Sequence, residues 1–89
     1  MSSKNEFIYL PRFTRDYKKL PPASRKKVKA ALFQMERDLK YRSLRVKKMK
    51  GTEDIWEARA SRSLRLTFNI EGNTIVLRTV GEHDILKKP

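Results

Sequence analysis

Eighty-nine residues with 38% apolar content allow one small domain, residues 1–89, with a single core. The chain has no cysteine and one histidine, which excludes disulfides, zinc ribbons, cysteine nucleophiles and any histidine-built metal site, and no cofactor is expected. With 36% charged residues no membrane span is expected, and the opening "MSSKNEFIYLPRF" lacks the basic-then-apolar pattern of a secretory signal, so the expected location is the cytoplasm.

The net charge of +12 is unevenly placed. Residues 11–50 hold fifteen Lys and Arg against three acids (Asp16, Glu36 and Asp38), whereas residues 51–89 hold six of each. Such a surface attracts polyphosphates through counterion release, with salt-sensitive affinity. Nucleic acid is therefore the leading partner class. A solvated basic helix and a surface matched to an acidic protein fit the same composition.

The first element is "EFIYL", Glu6 to Leu10, a short β-like run that stops at Pro11. A helix can begin there, because proline at a first helical position forfeits no intrahelical hydrogen bond. Phe13, Tyr17 and Leu20 then recur at helical spacing among Arg12, Arg15, Lys18 and Lys19. Pro21-Pro22 breaks this helix, and a longer one is predicted over Ala23 to Lys40. Val28, Ala31, Leu32, Met35 and Leu39 form its apolar stripe, opposite Arg25, Lys26, Lys27 and Lys29.

From Tyr41 to Gly51 no period survives in "YRSLRVKKMKG". The pattern then changes to a period of two. In "DIWEARA", Glu57 and Arg59 share one face and Trp56 points the other way, toward burial rather than base stacking. In "LRLTFNI", Leu64, Leu66, Phe68 and Ile70 oppose Arg65, Thr67 and Asn69. "EGN", Glu71 to Asn73, carries hairpin chemistry, and "TIVLRTV" has apolar residues on both faces, as a central strand would. The expected fold class is thus α+β, in the order β-α-α-β-β-β. A small, mainly antiparallel sheet of four strands carries two N-terminal helices packed on one face.

The free face of that sheet would display Glu57, Arg59, Arg65, Thr67 and Asn69. Arg65 interrupts an apolar strand, where an unpaired guanidinium is costly and finds a carboxylate or a phosphate. Glu57 across the hairpin is the expected resting partner, which a substrate phosphate could displace. Arg59 would share a basic cleft with the preceding loop, whose Arg45, Lys47, Lys48 and Lys50 are the candidate RNA-binding residues.

The element order, the "YKKLPP" helix break, the hairpin "IWEARASRSLRLTFNIEGNTIVLRTVG" and the terminal "GEHDIL" together resemble the RelE/ParE superfamily of toxin-antitoxin toxins, over essentially the whole chain. The resemblance implies a RelE-like toxin domain, a cognate acidic antitoxin, and mRNA and ribosome as targets. The ribosome-dependent endonucleases of the superfamily place a catalytic Arg where Arg65 stands, and the YoeB-like and YafQ-like branches a catalytic His where His83 stands. The implied reaction is metal-independent attack of a 2′-hydroxyl on the adjacent phosphate, which inhibits translation. Arg65 with Arg59 would stabilise the phosphorane, His83 would be the general acid, and Glu57 either the base or a support for the arginines. Two other readings stand beside it: a noncatalytic ParE-like gyrase inhibitor, and a basic RNA-binding module without cleavage. The pairing of Arg65 with His83 favours the endonuclease over the gyrase inhibitor.

Overall fold

The computed structural model describes residues 4–89. Strand β1 (Glu6–Tyr9) leads into helix α1 (Pro11–Lys19), which opens on proline and stops at Leu20. Leu20 precedes a proline, and the steric demand of that ring holds it extended, with its N–H on the Tyr17 carbonyl at 3.1 Å. Helix α2 (Pro22–Arg37) also begins on proline. It ends three residues short of the predicted Lys40. There the Asp38 carboxylate accepts the Lys40 N–H at 2.8 Å, and this local turn competes with further helix. Asn5 closes the same end, donating its backbone N–H to the Glu36 carbonyl and its side-chain amide to the Met35 carbonyl. Two carbonyls that a helix terminus leaves unpaired are thus satisfied by the residue just before β1.

A 3₁₀ turn (Arg42–Leu44) and the two-residue strand β2 (Lys47–Lys48) precede β3 (Trp56–Arg59), β4 (Arg65–Glu71), β5 (Thr74–Gly81) and a C-terminal 3₁₀ segment (His83–Lys87). The sheet therefore has five strands rather than four, in the order β1-β5-β4-β3-β2. The aperiodic "YRSLRVKKMKG" supplied the extra strand through two backbone pairings, Lys47 with Glu57 and Lys48 with Trp56. So short an edge strand leaves no periodic signal. All pairings are antiparallel except that of β1 with β5.

Both helices lie on one face, as expected. Phe13, Val28, Ala31 and Met35 join Ala58, Leu64, Leu66, Phe68, Ile75, Leu77 and Val80 in one buried cluster, which Leu44 completes from the 3₁₀ turn. Trp56 packs against this cluster. Each such Leu, Ile, Val or Phe contributes about 1.5–3 kcal/mol when fully removed from water, so this face accounts for most of the stability.

Strand β5 departs from simple alternation. Thr67 pairs with Thr79 but Phe68 pairs with Leu77, so Arg78 is an extra residue opposite β4. This β-bulge re-phases the strand. Without it, Val80 would share a face with Arg65; with it, Val80 is buried in the core and Gly81 stands opposite Arg65. The bulge thus carries Val80 to the core side, while Val76, opposite Asn69, stays on the free face.

Candidate active site

The free face of the sheet holds a cleft of ≈ 310 Å³ lined by Arg45, Lys47, Glu57, Arg59, Arg65 and His83. Four permanent cations, an imidazole and one carboxylate therefore converge there. All four residues expected to carry catalysis are present. Of the four candidate RNA-binding residues, only Arg45 and Lys47 line the cleft.

Strand register explains the convergence. Glu57 and Arg59 alternate with the core residue Ala58, and they pair with Thr67 and Arg65 across β3–β4. Lys47 is brought opposite Glu57 by β2. Lys48, one residue on, points the other way and pairs with Asp54 at 3.8 Å. Lys50 is exposed beyond the end of β2. Both correct the expectation that the whole lysine run lines the cleft: a period of two divides adjacent lysines between faces. Arg45 enters from the end of the 3₁₀ turn with φ of 46°. Left-handed backbone is uncommon outside glycine and costs on the order of 1 kcal/mol, so the chain is strained where it delivers this cation.

Arg65 is not held by Glu57. Its Nη1 donates to the carbonyls of Ser61 (3.0 Å), Arg62 (3.1 Å) and Leu64 (3.1 Å), the loop that joins β3 to β4. The loop is closed by Ala60 N–H on the Leu64 carbonyl at 3.0 Å and by Ser61 Oγ accepting the Leu64 N–H at 3.3 Å. One nitrogen of the guanidinium is thus anchored on backbone oxygens while Nε and Nη2 carry no such tether. Glu57 instead meets Lys47, Nζ to Oε1 at 3.8 Å, with the Glu57 side chain 11% exposed and that of Lys47 70% exposed. The correction has a simple geometric source, because Glu57 is directly opposite Thr67 whereas Lys47 is directly opposite Glu57. An ion pair with so exposed a lysine is worth at most about 1 kcal/mol and opens readily.

Arg59 and Arg65 stand directly opposite each other, an arrangement that destabilises a sheet pair. The consequence appears in the proton equilibrium of Arg59. Its pKa is lowered, first by desolvation and then by the charges of Arg65, Arg45 and Arg62, with Glu57 acting in the opposite direction. Among the described residues the Arg59 side chain has no hydrogen bond or ion pair. Four permanent cations thus face a single carboxylate, Glu57, and the cleft is net positive.

Beneath the cleft lie Thr67 and Thr79, both fully buried, whose hydroxyls hydrogen-bond to each other across β4–β5. This pair satisfies the only polar atoms that the two side chains bring to the floor. His83 is exposed and opens the C-terminal 3₁₀ segment, two residues beyond the position paired with Arg65. Gly81 allows the close approach behind it, since a Cβ there would sit 2.7 Å from Cγ2 of Ile85. A larger hollow of ≈ 600 Å³ lies on the far side of this segment, bounded by Arg12, Asp16, Leu20, Asp84 and Ile85 among others. Cations and carboxylates alternate there, and Arg12 is spent on Asp16. Among the described residues no group of three or more His, Cys, Asp or Glu side chains gathers as a metal site would, and no helix is long and apolar enough to cross a membrane.

No protein-family model matches the sequence, and no curated protein matches it significantly. Solved structures do. The chain superimposes on the RelB-RelE antitoxin-toxin complex from Methanococcus jannaschii with a TM-score of 0.74 and 23% identity, over 90% of this chain and 94% of that one. The RelBE2 toxin-antitoxin complex from Mycobacterium tuberculosis gives 0.75 and 23%, over 90% and 99%. The YoeB dimer from Staphylococcus aureus gives 0.69 and 19%, over 90% and 98%. At these identities the likeness is one of architecture, and the chain has the α+β fold of the RelE and YoeB toxins.

Proposed function

We propose that this chain is the toxin of a toxin-antitoxin pair, an endoribonuclease that cuts mRNA on the ribosome and so inhibits translation. The observation that carries the reading is the cleft itself, in which two arginines face each other beside the chain's only histidine. The solved structures of like fold are toxins of the RelE and YoeB kinds, several of them bound to antitoxins, which supports an acidic antitoxin as the partner of this basic chain.

The chemistry requires no group beyond those that line the cleft. The 2′-oxygen of one nucleotide bonds to its 3′-phosphorus while the bond from phosphorus to the 5′-oxygen of the next nucleotide breaks, leaving a 2′,3′-cyclic phosphate and a 5′-hydroxyl. Arg65 and Arg59 bind the phosphate and stabilise the charge that builds on the phosphorane. Arg65 is fixed on the Ser61–Leu64 loop, so little reorganisation is needed as that charge develops. His83 donates the proton that the departing 5′-oxygen requires. Glu57 is the sole carboxylate of the cleft and takes the proton of the 2′-hydroxyl, with its exposed Lys47 partner displaced by substrate. Arg45 and Lys47 extend the phosphate path along the rim.

Expression of the wild type beside His83→Ala, with growth and mRNA 5′ ends followed together, tests the reading. The account predicts growth arrest and new 5′ ends for the wild type, and a loss of roughly a hundredfold or more in cleavage for a folded His83→Ala protein. Growth arrest by the wild type without any new mRNA ends would replace it with the gyrase-directed reading. RNA binding without cleavage or arrest would leave a plain RNA-binding module.

A further inference from the structure

We propose that Arg78, the extra residue of the β5 bulge, is a latch that seats the C-terminal segment on the free face of the sheet and so acts as a positioning residue for His83. Its catalytic consequence rests on the ribonuclease reading; the latch itself does not.

The bulge puts Arg78 and Thr79 side by side on this face. In an unbroken strand adjacent residues point to opposite faces, yet Thr79 bonds to Thr67 beneath the cleft while Arg78 reaches Asn69 of β4 on the same side. The guanidinium spans two elements. Nη1 donates to Asn69 Oδ1 at 2.9 Å and Nε donates to a main-chain oxygen of Pro89 at 3.0 Å. Asn69 is held in turn, its amide donating to the Asp54 carbonyl at 2.8 Å. Arg78 therefore ties the far end of the terminal segment to a fixed point on the sheet.

The near end is set by packing. Gly81 lets Ile85 approach to a distance that a methyl group would fill. Between these two attachments Leu86 is half-buried and no side chain is fully buried. The segment is a single 3₁₀ stretch of five residues, and its backbone bonds run Ile85 N–H to Glu82 and Lys88 N–H to Ile85. Short 3₁₀ helices have poor hydrogen-bond geometry and do not persist unaided. Two charge-assisted bonds from one half-buried guanidinium are the strongest polar contacts available to it. Arg78 touches nothing in the cleft, so its effect on catalysis passes through the placement of His83.

His83 is the only histidine and Trp56 the only tryptophan, so each gives one unambiguous ring resonance in the full-length chain. Trp56 packs on the opposite face and reports folding. In Arg78→Met, which keeps the length of the apolar stem and removes the donors, the His83 ring resonance should move to the position of a histidine in an unstructured peptide. The Trp56 indole resonance should stay where it is. Arg78→Lys, which retains a cationic donor, should restore most of the wild-type shift. Ribosome-dependent cleavage by Arg78→Met should fall roughly ten- to a hundredfold in kcat with KM within about twofold, as for a displaced but intact catalytic group. Should Arg78→Met lose the Trp56 signal, Arg78→Gln, which keeps one donor, is read by the same two resonances. An unmoved His83 resonance in folded Arg78→Met, or in folded Arg78→Gln where Arg78→Met does not fold, overturns the latch. A moved resonance with unchanged kcat overturns the positioning role. If the wild type cuts no RNA, the ribonuclease reading fails, and the resonances still decide the latch.

Discussion

On the helix side of the sheet, Leu66, Phe68, Leu77 and Val80 are sealed in one cluster with Phe13, Val28 and Met35. On the other side, alternate residues of the same strands set Arg59 opposite Arg65 and bury a threonine pair under a cleft of cations. The first face is consistent with its own folding, because the buried residues of its cluster are all apolar. The second is not, because it holds like charges together and delivers Arg45 through left-handed backbone. Like charges held together favour binding of an anion, as the proposed reading requires, and the stability this face forgoes is supplied by the opposite face.

Substitutions on the two faces should therefore behave oppositely, and the largest effects on stability belong to the core. Phe68→Ala should cost about 3–5 kcal/mol in urea unfolding, since a fully buried ring leaves a cavity behind. Gly81→Ala should cost about 1–3 kcal/mol. The atom it meets, Cγ2 of Ile85, lies one bond from Cβ, so the terminal segment itself must shift. This variant should also lower cleavage, which a core substitution of equal cost would not do in the folded fraction.

Arg59→Ala should not lower the free energy of unfolding at all, while it weakens RNA binding. The sign follows from the depressed pKa. A base whose pKa is lowered by folding opposes the folded state wherever it is charged, and relief comes only as the pH rises through the lowered value, in strong alkali. Across the neutral range the effect is flat. Anions are the lever there, and sulfate should raise the wild-type Tm more than that of Arg59→Ala, because a bound ion stabilises only a site that attracts it. A loss of stability in Arg59→Ala, or an equal sulfate response, would remove the claim that the cleft is strained. The smallest effect separates neighbouring lysines. Lys47→Glu should lower the salt slope of RNA binding by about one, and Lys48→Glu and Lys50→Glu should leave it unchanged.

Most of the fold is legible in the sequence because period carries it. The stripe Val28, Ala31, Met35 and the alternation Leu64, Leu66, Phe68 each announce an element, Pro11 marks where the first helix begins, and Pro21-Pro22 marks the break before the second. Arg65, Arg59, Glu57 and His83 could likewise be gathered from strand phase and resemblance. What escaped depends on register rather than period. Strand β2 is two residues long, and only its pairing reveals that Lys47 and not Lys48 joins the cleft. The partner of Arg65 was missed because its acceptors are backbone carbonyls, which have no residue-type signature. The bulge at Arg78 left one trace, an arginine in an apolar strand, but a one-residue slip cannot be placed without the opposing strand.

The claim that the cleft drives attack by a 2′-hydroxyl is tested most directly on ribosomes carrying one defined mRNA, in all-ribose form or with a single 2′-deoxy nucleotide at the mapped cut. The account predicts that the wild type cuts the ribose message to a 2′,3′-cyclic phosphate and a 5′-hydroxyl and leaves the deoxy message whole at that position. Cleavage of the deoxy message there, or a 5′-phosphate on the downstream product, would contradict it.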